Sequence, residues 1–487
     1  MSDLVKLTIE GHEVEAPAGT SILEAAKLVG ILIPHYCYHP ALPVAGSCRM
    51  CLVEVEKSPK PQPACATPIT PGMVVRVASD VARAARRAVL EFLLINHPLD
   101  CPICDQAGEC ELQDYTHEEG RAAGRYADYP KRYNPVEDFG PDVLYVPNRC
   151  ILCTRCVRFM ENVAQEPTLN VSERGDRARI GVFPGAALDH PWAGNVVDLC
   201  PVGSLLSKDF LNKARVWDLD KTASVCGGCT QGCNITLETR DNAVVRVKPR
   251  PNMAVNRWFI CDEGRLGYAW LNRADRIEAP LVREGGRLVP VEWEVALARA
   301  AELVGAGDGP AVGLVSPGAS CEALEAAARV LAARGEGSAG AFRVRQGPER
   351  PLAGVPDLAL RAERAPNVAG ALAAGFGRDW DAAVARARAA GLVLVLDESL
   401  AGLAEPVTDG ALLYIGTVLP ETARGAVVIL PCTNVAEEEG SFVNLRGLRQ
   451  RYAQARTPPG MARPAAWILD AILAALPARA ARAGGRA

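Results

Sequence analysis

Residues Asn96 to Cys110 read "NHPLDCPICDQAGEC", one histidine and three cysteines spaced H-x3-C-x2-C-x5-C. Soft ligands set this closely are a metal site, either structural zinc or a redox cluster with one unusual ligand. The rest of the chain has to choose between them. It has 487 residues and seventeen cysteines, fourteen of which lie between Cys37 and Cys233. The N-terminus, "MSDLVKLTIEGHEVEA", has no basic stretch followed by an apolar one, so no export signal is read there. Cytosolic thiols stay reduced, and cysteines at short intervals then hold metal rather than each other. Aliphatic runs such as "GLVLVLD" (Gly391 to Asp397) are strand-length and too short for a bilayer. A net charge of −4 gives no reason to expect nucleic acid or an anionic membrane as partner. The expectation is a soluble, cytoplasmic chain, too long for one core and so multidomain.

Working outward, the stretch before Asn96, "SDVARAARRAVLEFLLINH", predicts an amphipathic helix starting at Ser79, with Val81, Ala85, Val89, Phe92 and Leu93 facing inward. Further upstream, Val5, Leu7 and Ile9 alternate as a strand, "GHEVE" gives a second, and Thr20 or Ser21 caps a helix over Ile22 to Leu28. Two strands, a helix and then a cysteine loop predict a β-grasp ferredoxin domain. Its ligands are Cys37, Cys48, Cys51 and Cys65, spaced C-x10-C-x2-C-x13-C. This is the plant-type [2Fe–2S] pattern with a longer first gap, and not the two-pair pattern of zinc ribbons. Gly46 is expected to turn the loop tightly enough to aim N–H groups at sulfur.

Downstream, "NRCILCTRCVRFMEN" spaces Cys150, Cys153 and Cys156 as C-x2-C-x2-C. No C-P follows locally, but "NVVDLCPVGSL" carries it at Cys200, which makes a four-ligand [4Fe–4S] set. A fourth set, C-x2-C-x3-C-x27-C, is Cys226, Cys229, Cys233 and Cys261, with Gly227, Gly228 and Gly232 keeping the loop compact. Zinc stays open for this set taken alone. With His97, Cys101, Cys104 and Cys110, fifteen cysteines and one histidine complete four sites, leaving Cys321 and Cys432 over. Four unlike spacings argue against zinc repeats. A row of unlike clusters suits single-electron transport. A histidine near a helix end is ordinarily a cap. Beside three cysteines it reads as a ligand, and a neutral imidazole in place of a thiolate should raise the potential.

The order of "SCRMCLVEVE", "HPLDCPICDQAGECELQD", "CILCTRCVRF", "DLCPVGSL" and "CGGCTQGCNI" resembles the large iron–sulfur subunit (the G or 75-kDa type) of bacterial NADH–quinone oxidoreductase, respiratory complex I. The resemblance covers the first 270 residues or so. It implies one [2Fe–2S] cluster on Cys37, Cys48, Cys51 and Cys65. It implies [4Fe–4S] clusters on His97, Cys101, Cys104 and Cys110, and on Cys150, Cys153, Cys156 and Cys200. A third [4Fe–4S] cluster, on Cys226, Cys229, Cys233 and Cys261, is the extra one kept by some bacterial members, here taken as structural. The implied role is relaying electrons from a flavin-bearing, NADH-oxidising partner towards quinone-side iron–sulfur subunits, on the cytoplasmic side of the inner membrane and without direct insertion. No NADH or quinone site and no catalytic acid or base is expected in this chain, which lacks a G-x-G-x-x-G fingerprint.

After Cys261 the chain is similar to molybdopterin oxidoreductases, as in "RLGYAWLNRADRIEAPL" and "EEEGSFVNLRGLRQ". "PAVGLVSPG", "GLVLVLD" and "AVVILP" predict buried parallel strands between Ala-rich helices. Active members have lysine in C-x-K-G-R, whereas this chain reads "CDEGR" with Glu263. No cysteine stands where a molybdenum ligand would, since Cys321 reads as a buried or capping thiol. The half is therefore read as truncated, α/β and free of molybdopterin. Expected domains are 1–78 ([2Fe–2S]), 79–120 (the [4Fe–4S] segment with one histidine and three cysteines), 121–218 (ferredoxin-like [4Fe–4S]), 219–275 (molybdopterin-oxidoreductase-type [4Fe–4S]) and 276–476 (α/β), with a basic tail at 477–487. Overall the fold is multidomain, α+β then α/β. His12, His35, His39, His117 and His190 read as ordinary surface histidines, "VARAARR" as a solvated face, and "GDGPAVG" and "ARGEGSAGA" as turns. Rival readings are a cluster subunit of a NAD-linked formate dehydrogenase or hydrogenase, and a zinc-stabilised scaffold without redox activity.

Overall fold

Val5, Leu7 and Ile9 are buried along strand β1 (Leu4–Ile9), which pairs antiparallel with β2 (His12–Pro17). The turn between them puts both Glu10 and Gly11 at positive φ, the tight hairpin geometry that suits the twist of paired strands. Ser21 then caps α1 (Ile22–Leu28) by accepting the Glu24 N–H, and Ile22, Leu23, Ala25 and Ala26 are buried. The sheet closes with β3 (Leu52–Val55), β4 (Gln62–Pro63) and β5 (Val74–Arg76) in the order β2-β1-β5-β3-β4. β5 runs parallel to β1 and antiparallel to β3. The Pro-rich stretch before Cys65 supplies β4.

These elements belong to a computed structural model that describes residues 4–126, 131, 133–306, 309–403, 407, 408 and 410–476. The chain divides into two compact units, Met1–Leu219 with Leu352–Asp357, and Asp220–Pro351 with Leu358–Ala487. The expected basic tail, 477–487, lies outside the described residues.

In the first unit Ser79 caps α2 (Asp80–Leu94) by accepting the Ala82 N–H. The buried face is only partly the expected one, with Val89 and Leu93 packed against an apolar cluster. Ala82, Arg86 and Leu90 are buried, whereas Val81 is 48% and Phe92 74% exposed. The reason is Arg86, which the sequence places on a solvated face in "VARAARR". Its guanidinium donates to Val77 O at 2.8 Å and pairs with Glu119 at 2.9 Å. A buried arginine held by two partners brings the Ala82–Arg86–Leu90 side of the helix inward. Helix α3 (Glu111–Glu119) follows Cys110 directly, and a short helix, Arg155–Phe159, runs into a π-turn at Met160–Ala164. The returning segment Leu352–Asp357 docks there. Gly354 N donates to Val163 O at 2.7 Å, and a Cβ on Gly354 would come within 2.5 Å of Asn162 O. No larger residue fits that approach.

The second unit starts with a three-stranded antiparallel sheet, Asp220–Val225, Asn234–Arg240 and Ala243–Pro249. Its main body is a seven-stranded sheet. Ala339–Phe342, Ala311–Val315, Leu392–Leu396, Ala411–Gly416 and Val428–Pro431 are parallel neighbours in that order. The hairpin Leu281–Glu284 and Arg287–Pro290 adds an antiparallel edge. Leu392, Leu394 and Leu396 face one apolar core while Val393 and Val395 face another. A sheet covered on both faces explains why its strands read as unbroken aliphatic runs. The three runs expected as parallel strands are such strands. The "SAGA" end of an expected turn is instead the edge strand Ala339–Phe342. Among the described residues no helix is long and apolar enough to cross a membrane.

Candidate metal centres

The first set sits at the α1 end of the five-stranded sheet. Cys37, Cys51 and Cys65 are buried and Cys48 partly so. Gly46 takes the left-handed conformation (φ +61°), as the tight loop requires. Cys37 N donates to Cys48 Sγ at 3.4 Å. The thiols are linked to one another. Hydrogen bonds from Cys48 and Cys65 hold the Cys37 thiol low, one from Cys65 holds Cys51 low, and Cys48 and Cys65 are pushed up in return. Four thiols contesting protons in one buried spot form a donor set that a cation would relieve.

The second set lies between α2 and α3. Cys110 precedes α3, and Cys101 opens a single helical turn, Cys101–Ile103. His97, Cys101 and Cys110 line one cavity below α2, with Cys104 buried beside them. His97 Nδ1 is buried and has no hydrogen-bond partner among the described residues. Burial, then the charges of Lys131 and Arg149, hold the imidazole down at about 4, so it is neutral, as a ligand must be. Lys131 Nζ donates to His97 O at 2.5 Å. Cys101 is exposed, as are Leu99 and Ile103.

The third set is enclosed. Cys150, Cys153, Cys156 and the remote Cys200 all line a single cavity with Tyr145, Val202 and Ser204. Burial pushes the Cys153 thiol up to about 12 and Cys200 to about 11. Thr154, between two of the cysteines, is in the left-handed region (φ +60°), which lets the chain wrap inward. Residues 200–204 also wall the second set, because a Cβ on Gly203 would lie 2.1 Å from Cys104 Sγ. Only glycine leaves that sulfur its room.

The fourth set, in the second unit, joins the ends of two antiparallel strands. Cys226 N donates to Cys233 O at 2.8 Å, and Cys226, Cys229, Cys233 and Cys261 are all buried. Burial drives Cys226 up to about 12. A Cβ on Gly264 would meet Cys226 Sγ at 3.0 Å and Cys261 Sγ at 3.5 Å. Among the described residues no three His, Cys, Asp or Glu side chains converge closely enough to hold a single ion.

Glycine walls at Gly203 and Gly264, an orphaned imidazole nitrogen and soft donors in fours are what iron–sulfur clusters need, and the residues fit them. When bound, such clusters supply one-electron chemistry. The protein's part is to hold them, keep water away and set their surroundings.

Arginines that the cysteine spacing hid do much of the holding. Arg155 donates to Tyr38 O at 2.9 Å, to Glu111 Oε1 at 3.1 Å and to Leu199 O at 3.3 Å. These partners neighbour Cys37, Cys110 and Cys200, one from each of three sets. Arg158 donates to Cys37 O and Cys153 O, and Arg149 to Asp100 and Gly203 O. The available signal was arginine interleaved with C-x2-C-x2-C in "NRCILCTRCVRF". His35 and His39, expected at the surface, are half-buried. Burial, then Arg155, lowers His39 to about 4. His35 Nδ1 bonds Ile33 O at 2.7 Å. The spare thiol Cys321 is buried at the start of helix Cys321–Arg334 and donates to Asn367 Oδ1 at 3.4 Å, while Ser320 supplies the cap.

Each set falls inside a known cluster-binding segment. Residues 2–80 match the 2Fe-2S iron-sulfur cluster binding domain and 86–125 the NADH-ubiquinone oxidoreductase-G iron-sulfur binding region. Residues 140–206 match the ferredoxin-like domain of NADH-quinone oxidoreductase subunit 3, and 219–273 the molybdopterin oxidoreductase Fe4S4 domain. Residues 409–475 match molybdopterin oxidoreductase. The first four of these segments are thus similar to iron–sulfur cluster binding domains of both the 2Fe-2S and 4Fe-4S kinds. The chain is homologous to the large iron–sulfur subunits of NADH–quinone oxidoreductase, the G or 75–78 kDa type. The 78 kDa mitochondrial subunit of NADH-ubiquinone oxidoreductase from Neurospora crassa is 47% identical over 60% of this chain and 39% of its own length. The G subunit of NADH-quinone oxidoreductase from Rickettsia bellii is 42% identical over 62% of this chain and 44% of its own. The match thus spans less than half of each of these relatives. A solved NAD+-reducing [NiFe]-hydrogenase chain aligns at 31% identity and a TM-score of 0.39, over 44% of this chain and 91% of that one.

Proposed function

We propose that this chain is an iron–sulfur electron-transfer subunit of a proton-translocating NADH–quinone oxidoreductase. In that role it carries electrons between a flavin-bearing, NADH-oxidising partner and quinone-side iron–sulfur subunits. It would lie on the cytoplasmic side of the inner membrane and be held there by those partners. The observation that carries the reading is the convergence of Cys150, Cys153, Cys156 and Cys200, the last forty-odd residues on in sequence, on one enclosed cavity. The homology to large iron–sulfur subunits supports the same reading.

In this reading Cys37, Cys48, Cys51 and Cys65 hold a [2Fe–2S] cluster in a β-grasp domain, 1–78. His97, Cys101, Cys104 and Cys110 hold a [4Fe–4S] cluster in 79–120, and Cys150, Cys153, Cys156 and Cys200 a second in the ferredoxin-like 121–218. Cys226, Cys229, Cys233 and Cys261 hold a third in 219–275, and 276–476 is a scaffold without molybdopterin. Arg149, Arg155 and Arg158 fix the first three sites relative to one another. The low-lying His97 keeps a neutral donor among thiolates, which raises that centre's potential.

Iron and acid-labile sulfide assays with EPR of the dithionite-reduced chain test this. The reading expects about fourteen irons per chain, two in the binuclear centre and four in each cubane, and several distinguishable signals. Colourless, EPR-silent protein containing only zinc would refute it.

A further inference from the structure

The fourth set lacks the lysine that active molybdopterin enzymes place two residues after the last cysteine, and has Glu263 there instead. The structure returns positive charge to that spot from elsewhere in the second unit. Arg364 Nε lies 3.3 Å and Arg345 Nη2 3.4 Å from the same Glu263 oxygen. The Arg364 side chain is only 4% exposed, Glu263 40% and Arg345 76%. Arg364 is held rigidly, donating to Pro348 O at 2.9 Å and to Arg361 O. A Cβ on Gly347 would come within 2.9–3.1 Å of its guanidinium, so glycine there leaves the group room to lie flat on the backbone.

The segment around Arg364 is also fastened to the cysteine loop. Thr230 N donates to Glu363 O at 3.1 Å, Arg361 Nε to Gln231 Oε1 at 2.8 Å, and the Arg361 N–H reaches Cys229. Arg364 and Glu263 thus both stand against the loop that carries the four cysteines. A buried cation stabilises the more negative, reduced state of a cluster, and an anion opposes it. The buried charge is screened less than the half-exposed one.

Resting on the reading that Cys226, Cys229, Cys233 and Cys261 hold a cluster, we propose that Arg364 is the positioning residue that sets this centre's reduction potential. Glu263 is its partial counter-charge. The α/β half thereby contributes to the redox properties of a centre to which it gives no ligand.

The test is an EPR redox titration of the full-length chain, with the fourth centre's signal identified as the one abolished by Cys229→Ala. Arg364→Gln should lower the midpoint enough to change the reduced-to-oxidised ratio at the wild-type midpoint at least tenfold, about 59 mV for a one-electron couple. Glu263→Gln should raise it by a smaller step, and Arg364→Lys, which keeps the charge, should stay near wild type. If Arg364→Gln does not fold, the Glu263→Gln and Arg364→Lys pair decides alone. An assignable signal whose midpoint ignores Glu263→Gln, or Arg364→Gln, overturns the proposal while leaving the fourth centre in place. Failure of Cys229→Ala to remove any signal or iron removes the fourth centre and the proposal together.

Discussion

The two units solve the problem of a stable interior differently. The second does so conventionally, with two aliphatic layers against a parallel sheet, and the one buried cysteine among them, Cys432, is a bystander. In the first unit a central apolar cluster is built from Tyr36, Met50, Leu90, Leu112, Tyr115 and Val202 together with Cys37, Cys110 and Cys153. Those three thiols come from three different ligand sets. The metal sites of the first unit are therefore part of its core, and buried arginines bolt that core together where aliphatic side chains would otherwise do so. The core of the first unit should depend on its inorganic contents, and the parallel-sheet core of the second, which stands apart from the fourth ligand set, should not.

Stripping iron and sulfide is the harshest way to probe this contrast. The expected outcome is loss of hydrogen-exchange protection across Cys150–Ala164 with protection retained across Leu392–Leu396. Simultaneous loss in both would erase the distinction. Next in size, Leu394→Ala opens a hole in the fully buried central strand and should cost about 3–4 kcal/mol in the second unit's denaturation. The EPR signals of the first unit should survive it. Arg155→Met removes a guanidinium from beside the half-exposed Glu111 and frees two buried carbonyls. It should destabilise the first unit by about 2 kcal/mol and lower its iron content, since three ligand sets share that bolt. A variant that keeps all its iron would mean the arginines are ornamental.

The smallest expected effect sharpens the picture of the second unit. Burial raises the Glu438 carboxyl from the ordinary 4.5 to about 7, against hydrogen bonds from Thr433 and Tyr452 that favour its charged form. Below pH 4.5 both folded and unfolded chains carry the proton, and its contribution to stability is complete. As pH climbs towards 7 the unfolded chain releases the proton first, so stability falls across that window. Glu438→Gln should flatten the pH dependence of the second unit's melting temperature between 4.5 and 7, by a few degrees at most. An unchanged slope would contradict it.

What could be read from the residues follows the range of the forces involved. Caps at Ser21 and Ser79 and the strands around Val393 and Ile429 are set by near neighbours, and they are as expected. The burial of Arg86 on α2 is not, because its partners, Val77 O and Glu119, are supplied by tertiary structure. The glycine and alanine of Ala339–Phe342 look like a turn until a neighbouring strand pairs with them. The ligand spacings were legible, since cysteine has few other uses at such density. That Cys200 shares a cavity with Cys150 rested on one proline, and the arginine bolts had no local signature beyond their interleaving with cysteine.

The glycine at position 354 has a practical corollary. The polypeptide leaves the ferredoxin-like part at Leu219, travels through more than a hundred residues of the other half, and comes back for six before leaving again. A gene cut at that first exit would deliver a fragment missing one of its own pieces, with the Val163 carbonyl stripped of its donor. Anyone wishing to express the N-terminal part alone would have to add back Leu352–Asp357, as a peptide or a grafted extension.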